Sequence, residues 1–369
     1  MKILIVQTAF PGDVVLTLPL AQSLSRCHPG AAVHMLVTPR SAGLLVNHPA
    51  LERTIAYDKR GKDAGLPGLL RLSALLRKER YDCALVPHRS IRSALVALLA
   101  RVPRRIGFDR SAGRFLFTES VRYDPASHEI DRNLALLGPL GAHQDGESHQ
   151  DGESHQGGES PRGGEASRDR ESPRLYPQEA DLRLVESALA GWRHPAGARL
   201  VAVAPGSVWY TKRWLPERFT ALTRSLLEQG FAVVLIGGEE DAELCRGIAH
   251  GCRSDRVMSM AGQLSLLQSA VMIGRSTLLV SNDSAPMHLA AAVGTPVVAI
   301  FGATAPSFGF APTGLHDRVV ETEGLACRPC AIHGGARCPI GTFDCMKNIS
   351  VEQVMAEVTR LALEIGPRS

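Results

Sequence analysis

Short apolar runs alternate with amphipathic stretches along most of this chain. Lys2 to Gln7, Val33 to Val37, Thr54 to Tyr57 and Cys83 to Val86 read as strands. Between them, Val14 to Arg26 and Leu66 to Arg80 repeat apolar positions at helical spacing, the first in spite of Pro19. The alternation resumes later. Leu200 to Ala204 and Ala232 to Ile236 read as strands, and Pro216 to Gln229, Glu239 to His250 and Leu264 to Ile273 as helices. Strands covered on both faces lose the polar alternation of a one-sided sheet. Such runs separated by helices therefore predict an α/β fold with parallel, doubly wound sheets. The leucine stripe Leu69, Leu70, Leu72, Leu75, Leu76 is expected to pack on its own sheet, with a membrane-surface element as the competing reading.

The pattern breaks once. From His143 the chain reads HQDGES, repeated at His149 and, with one change, at His155, and it stays rich in Gly, Ser, Glu, Arg and Pro through Arg174. A stretch with so little apolar surface cannot offset the entropy of ordering. The expected organisation is a first Rossmann-like domain over 1–142, a disordered linker over 143–175 and a second Rossmann-like domain over 176–350. A terminal helix over 351–369 is expected to pack back on the first domain. Two such sheets leave a central cleft where their strand ends face each other.

The densest signal lies at VSNDSAPMHLAAAVGTPVVAIFG, Val280 to Gly302. An apolar strand ends at Asn282, a helix of small residues follows Asp283-Ser284, and Gly294-Thr295-Pro296 leads into another strand. A helix start at a strand end offers free backbone N–H groups and a positive dipole, which suit phosphate. Three other segments also follow strands. Gly12-Asp13 offers a carboxylate at a helix start, where capping alone would also account for it. Pro205-Gly206-Ser207 leads into Lys212-Arg213-Trp214, cations fit for a diphosphate or for an exposed basic loop. Gly237-Gly238 leads into Glu239, Glu240, Asp241 and Glu243, acceptors for ribose hydroxyls or a solvated charge run. His288 lies one turn beyond Ser284.

Charge is uneven. Residues 1–142 carry 20 Lys/Arg against 11 Asp/Glu, and the remainder 21 against 26. The basic first part suggests an acidic partner, a phosphorylated lipid, an anionic membrane surface or a nucleic acid, with a solubilising arginine-rich surface as the competing reading. No apolar run approaches the ~20 residues of a membrane span, and the N-terminal run, broken at Pro11-Gly12-Asp13, is too short for a signal peptide. A cytoplasmic protein is expected. A dinucleotide G-x-G-x-x-G fingerprint is absent after the first strand, which disfavours an NAD-linked oxidoreductase.

Gly12-Asp13 in a G-D-x-x-x-x-x-P setting, PGSVWYTKRW and NDSAPMHLAAAVGTPVVAIFG together resemble the ADP-heptose:lipopolysaccharide heptosyltransferases of glycosyltransferase family 9. The second motif is closer in form to the heptosyltransferase II branch. The resemblance covers nearly all of the chain outside 143–175. It implies a GT-B fold and an inverting, metal-independent transfer of L-glycero-D-manno-heptose from ADP-heptose to the lipopolysaccharide inner core, as the second heptose. It implies Asp13 as catalytic base. Lys212 would neutralise the diphosphate, Asp283 would contact the donor heptose, and Ser284 would open the phosphate-binding helix. Ser207 and His288 would join the donor site, with Gly12 and Gly206 as turn residues and Glu243 as the ribose acid. The implied partners are ADP-heptose and a phosphorylated lipid A–Kdo–heptose acceptor met peripherally at the inner face of the cytoplasmic membrane. A monomer is expected, without nucleic acid. Ala285-Pro286 stands where a glycine often follows the D-S/T pair in the family, and Pro286 removes one N–H from the phosphate site. The alternatives are a transferase acting on another core position and a GT-B-fold sugar-nucleotide epimerase.

Cys327, Cys330, Cys338 and Cys345 are spaced C-x2-C-x7-C-x6-C. Four thiolates at these intervals are a candidate structural zinc site, set against reduced buried thiols. No cofactor is expected for catalysis, and the sequence has no D-x-D motif.

Overall fold

A computed structural model describes residues 1–141, 171–192 and 198–366. The first domain runs β1 (Lys2–Val6), α1 (Pro11–Cys27), β2 (Ala32–Val37), α2 (Pro39–Ala42), β3 (Arg53–Ala56), α3 (Gly65–Lys78), β4 (Cys83–Val86), α4 (Ile91–Leu99), β5 (Arg104–Phe108), β6 (Glu119–Val121) and α5 (Glu129–Ala135). The second runs α6 (Glu179–Gly191), β7 (Leu200–Ala204), α7 (Pro216–Glu228), β8 (Ala232–Leu235), α8 (Ala242–Cys252), β9 (Val257–Ser259), α9 (Leu266–Gly274), β10 (Leu278–Asn282), α10 (Ala285–Val293), β11 (Val297–Phe301), β12 (Arg318–Glu321), α11 (Asp344–Lys347) and α12 (Val351–Glu364).

Each domain is a six-stranded parallel sheet, ordered β3-β2-β1-β4-β5-β6 and β12-β11-β10-β7-β8-β9. This is the predicted pair of doubly wound sheets. Strand order reverses between β1 and β4 and between β10 and β7. A crevice opens outside the carboxyl ends of strands at such a point, so the segments after these four strands are the ones placed to bind.

Side-chain alternation divides each sheet between two cores. Ile3 and Ile5 of β1 face the middle of the molecule, and Leu4 and Val6 face outward beneath α3 and α4. In the second sheet Ala202 and Ala204 face inward, while Val201 and Val203 pack outward under α7, α8 and α12. The central core joins α1 and α5 of one domain to α9 and α10 of the other, with α1 against α10. The leucine stripe of α3 splits: Leu69, Leu72 and Leu76 are buried on the sheet, and Leu66, Leu70 and Leu75 are exposed.

Two expectations need correcting. The terminal helix does not return to the first domain; α12 packs on α7, β11 and β12. Its buried Val354, Val358 and Leu361 complete the outer core of the second sheet, where Arg318 also meets Glu364 at 2.5 Å. The linker ends earlier than 175. Glu171 accepts from Arg26 at 2.6 Å, Gln22 binds the Ser172 carbonyl, and Leu175 is buried. The rest of the linker, with its repeats, lies outside the described residues.

Candidate functional site

Both domains line a cavity of about 1380 Å³. Every segment that follows a strand at a strand-order reversal reaches it: Thr8 to Asp13 after β1, His88 and Arg89 after β4, Gly206, Ser207 and Lys212 after β7, and Asp283 and Ser284 after β10.

Asp13 is the third residue of α1. Its Oδ2 accepts the Phe10 N–H at 3.0 Å, so the carboxylate does cap its helix. Pro11 at the helix start loses no bond there. Asp13 also lines the cavity and is half-buried between the domains. Burial pushes its pKa up to about 6, while the Phe10 N–H and the charges of Lys212 and Arg89 pull it back. The carboxylate is thus within the field of Lys212 across the cleft. Gly12 approaches the second domain closely: a Cβ there would lie 2.7 Å from Cδ2 of His288.

On the opposite wall, Lys212 Nζ lies 2.7 Å from Asp283 Oδ2, both largely buried. Thr304 donates to the same oxygen at 2.7 Å. Ser284 caps α10 in extended conformation without a side-chain cap bond, and Ser284, Ala285 and Pro286 face the cavity. His288 is buried, and burial lowers its pKa to about 4 against the pull of Asp283, so the ring is neutral at pH 7. Ser207 is held by Arg213, whose Nε donates to its carbonyl at 2.7 Å. A Cβ on Gly206 would fall 2.2 Å from the Asp241 carboxyl, so that side chain would have to move.

Glu243 is placed elsewhere. It is exposed on α8 and faces a shallow groove with Pro216, Glu217 and Thr220. The acids of this stretch that line the cavity are Glu239, Glu240 and Asp241, in a single 3-10 turn after β8. Helical rotation beyond that turn carries Glu243 out of the cleft.

Cys327, Cys330 and Cys338 lie near enough to Cys345 to act on its thiol. Among the described residues, no group of three or more His, Cys, Asp or Glu is arranged to hold a metal ion. Burial raises the Cys345 thiol to about 11, with the neighbouring Cys330, Cys338 and Cys327 adding to the rise. Cys338 is lowered despite desolvation, because the N–H groups of Phe343, Ile340, Gly341 and Thr342 point at its sulfur.

Sequence reasoning missed two residues. Asn282 is fully buried; its Nδ2 donates to the Pro205 carbonyl at 2.8 Å and its Oδ1 accepts the Trp214 N–H at 3.0 Å. It braces the Lys212 segment against the Asp283 segment. Glu129, at the start of α5, is buried in the cavity wall and paired with Arg132 at 2.9 Å. Burial raises its pKa to about 7; Arg132 lowers it and the charge of Asp13 raises it. The Glu-x-x-Arg spacing was a visible signal of an ion pair, but nothing local placed it beside Asp13. The same turn clasps the second domain: the Glu129 N–H donates to the Gly309 carbonyl at 2.8 Å, and Arg132 to that of Phe308 at 2.7 Å.

The model of glycosyltransferase family 9 (heptosyltransferase) matches residues 69–334. Lipopolysaccharide heptosyltransferase 2 of Salmonella typhimurium is 27% identical over 321 residues, 84% of each chain. In three dimensions the chain resembles a glycosyl transferase family 9 protein from Veillonella parvula, with a TM-score of 0.82, 21% identity and coverage of 98% and 97%. It also resembles E. coli ADP-heptose lps heptosyltransferase II, with a TM-score of 0.74, 24% identity and 99% of both chains covered. These likenesses agree with two facing doubly wound sheets, the GT-B architecture.

Proposed function

This chain belongs to glycosyltransferase family 9, and from that premise we propose that it moves heptose from ADP-heptose to the lipopolysaccharide inner core, as the second heptose. The observation that carries the reading is the placement of Asp13 across one cavity from the Lys212–Asp283 pair and the start of α10. The relative from Salmonella typhimurium carries the heptosyltransferase 2 name, which supports the choice of core position.

The chemistry follows from charge. Breaking the anomeric C–O bond places positive charge on the sugar and negative charge on the departing diphosphate. Lys212, the Ser284 hydroxyl and the dipole of α10 are preorganised for the latter, and one such donor is worth about 10²–10³ in rate. Asp13 would take the proton of the acceptor hydroxyl as that oxygen attacks the opposite face of the ring. A single displacement inverts the anomeric centre. Charge neutralisation by protein groups supports metal-independent transfer. Neutral His288, in contact with Gly12, would report closure of one domain on the other.

The acceptor in this reading is a phosphorylated lipid, reached at the inner face of the cytoplasmic membrane by a peripheral, monomeric enzyme. The basic first domain supports this. Among the described residues no helix is long and apolar enough to cross a membrane.

The test is incubation with ADP-heptose and core acceptors carrying no heptose or one. Acceptor-dependent ADP release, mass gain on the one-heptose acceptor and an inverted anomeric signal in chelator support the reading. Transfer only to the heptose-free acceptor refutes the second-heptose position, and turnover without acceptor favours an epimerase. Zinc content of the purified protein, against the Cys327→Ser variant, tests the cysteine cluster.

A further inference from the structure

Four large apolar side chains stand in solvent on one side of the first domain. Phe115 is 71% exposed, Leu66 64%, Leu70 48% and Ile91 45%. They belong to three segments in contact. Helix α3 packs on α4, with Arg77 Nη2 donating to the Leu99 carbonyl at 2.9 Å. The turn Arg114–Leu116 packs on α4 as well; a Cβ on Gly113 would touch Ala94 and Ile91. The ends of α3 and α4 that meet through Arg77 are both carboxyl ends, so Leu66 and Ile91 mark adjoining amino ends. On the helical wheel Leu66 and Leu70 lie on the α4 side of α3, and Leu75 on the opposite flank.

These side chains are not a failed core, since Leu69, Leu72 and Leu76 of the same helix already fill the sheet's outer face. They are ringed by cations. Arg60, Lys62, Arg110 and Arg114 are all exposed. Nearby Asp58 spends its carboxylate on the Gly61 and Lys62 N–H groups, and Asp63 pairs with Arg71. Three of the cations, Arg60, Arg110 and Arg114, also line the cavity, so the apolar face borders its mouth.

We propose that the Leu66–Leu70–Ile91–Phe115 face is where this chain seats on an anionic lipid bilayer, turning the cavity toward the membrane. Apolar side chains enter the headgroup boundary while the ring of cations meets the lipid charge. A protein partner would be served by the apolar face alone; the cation ring and the position at the cavity mouth select a bilayer. The inference rests on the reading that the acceptor is lipid-borne, and it names the surface that reading lacks.

The experiment uses the full chain in flotation with vesicles of phosphatidylcholine plus phosphatidylglycerol, against phosphatidylcholine alone. Wild type is expected to float with the anionic vesicles only and to detach as salt rises. The double variant Leu70→Gln/Phe115→Ser is expected to lose about tenfold in vesicle affinity, and Leu75→Gln to match wild type. Both are expected to keep wild-type transfer to a water-soluble, deacylated acceptor, which also shows that they fold. The double variant should be slow only on a vesicle-borne acceptor. Equal flotation of wild type and double variant, binding to neutral vesicles alike, or no flotation of wild type overturns the proposal. A wild-type dimer in solution that the double variant abolishes also overturns it, by assigning the face to a second copy. Failure of wild type on the soluble acceptor counts against the transferase reading and leaves the flotation result standing.

Discussion

Lys212 Nζ sits 2.7 Å from Asp283 Oδ2, in the wall of a cavity that Asp13 closes from the other domain. The pair joins the turn after β7 to the end of β10, and Thr304 shares the same carboxylate oxygen. Removing one partner leaves the other buried and uncompensated. Lys212→Met is therefore expected to lower transfer by about 10²–10³ and to cost about 3–5 kcal/mol of stability, with Asp283 stranded. The double variant Lys212→Met/Asp283→Asn should recover most of the stability and none of the rate. Steady-state kinetics beside urea denaturation separate the two effects. Additive losses of stability would show that the ion pair contributes nothing.

Gly12 and His288 meet across the two domains. Alanine at 12 suits a helix, so no local penalty is expected from the backbone. The added methyl would meet the imidazole at 2.7 Å. Gly12→Ala should therefore lower both the melting temperature and kcat/KM, and Gly12→Ala/His288→Ala should regain part of both losses. A double variant slower than the product of the two singles would remove the steric explanation.

The carboxyls of Asp13 and Glu129 are both pushed up by burial, to about 6 and about 7. A base works when deprotonated. Activity should thus fall as pH drops through 7 to 6, where an exposed aspartate would hold to about 4. The two groups lie one turn before a contact between their helices, where Asn133 Nδ2 donates to the Leu16 carbonyl at 3.1 Å. They are expected to titrate as a pair, with Glu129 ionising second. Glu129→Gln should leave one ionisation in the pH–rate profile. Lys212→Met removes a charge that lowers Asp13 and should move the acid limb upward. Unchanged profiles in both variants would disconnect these groups from the rate.

The cavity-lining residues legible in the sequence are those that come soon after a strand. Asp13, Ser207, Lys212, Asp283 and Ser284 stand a few residues past strand ends, and a doubly wound sheet brings such positions to one edge. Glu129 was hidden because its approach to Asp13 depends on α5 lying beside α1, more than a hundred residues earlier in the chain. Glu243 was misplaced because four acids come soon after β8, and only the break between a 3-10 turn and α8 decides which face inward. For α12, an amphipathic stripe specifies that a face is buried and not which sheet it covers. The cysteine spacing gave a ligand count without the fold of the loop that carries it.

Asn282 offers a separate test of the site's frame. Its amide donates to the Pro205 carbonyl and accepts the Trp214 N–H, all three groups buried. Asn282→Ala leaves two backbone groups unsatisfied, at about 1–3 kcal/mol each. Asn282→Asp keeps the acceptor for Trp214 but sets a carboxylate against the Pro205 carbonyl, so it should destabilise at least as much at pH 8 and less at pH 4. The sign comes from the proton: a buried carboxylate facing a carbonyl has a raised folded pKa, and its folded state gains as pH falls toward the unfolded value. In both variants the Lys212 segment loses its tether to β10, so the KM for donor should rise more than kcat falls. Denaturation midpoints at the two pH values, with donor KM, test the brace. An Asn282→Asp protein equally stable at both would mean that the side chain has turned away from Pro205.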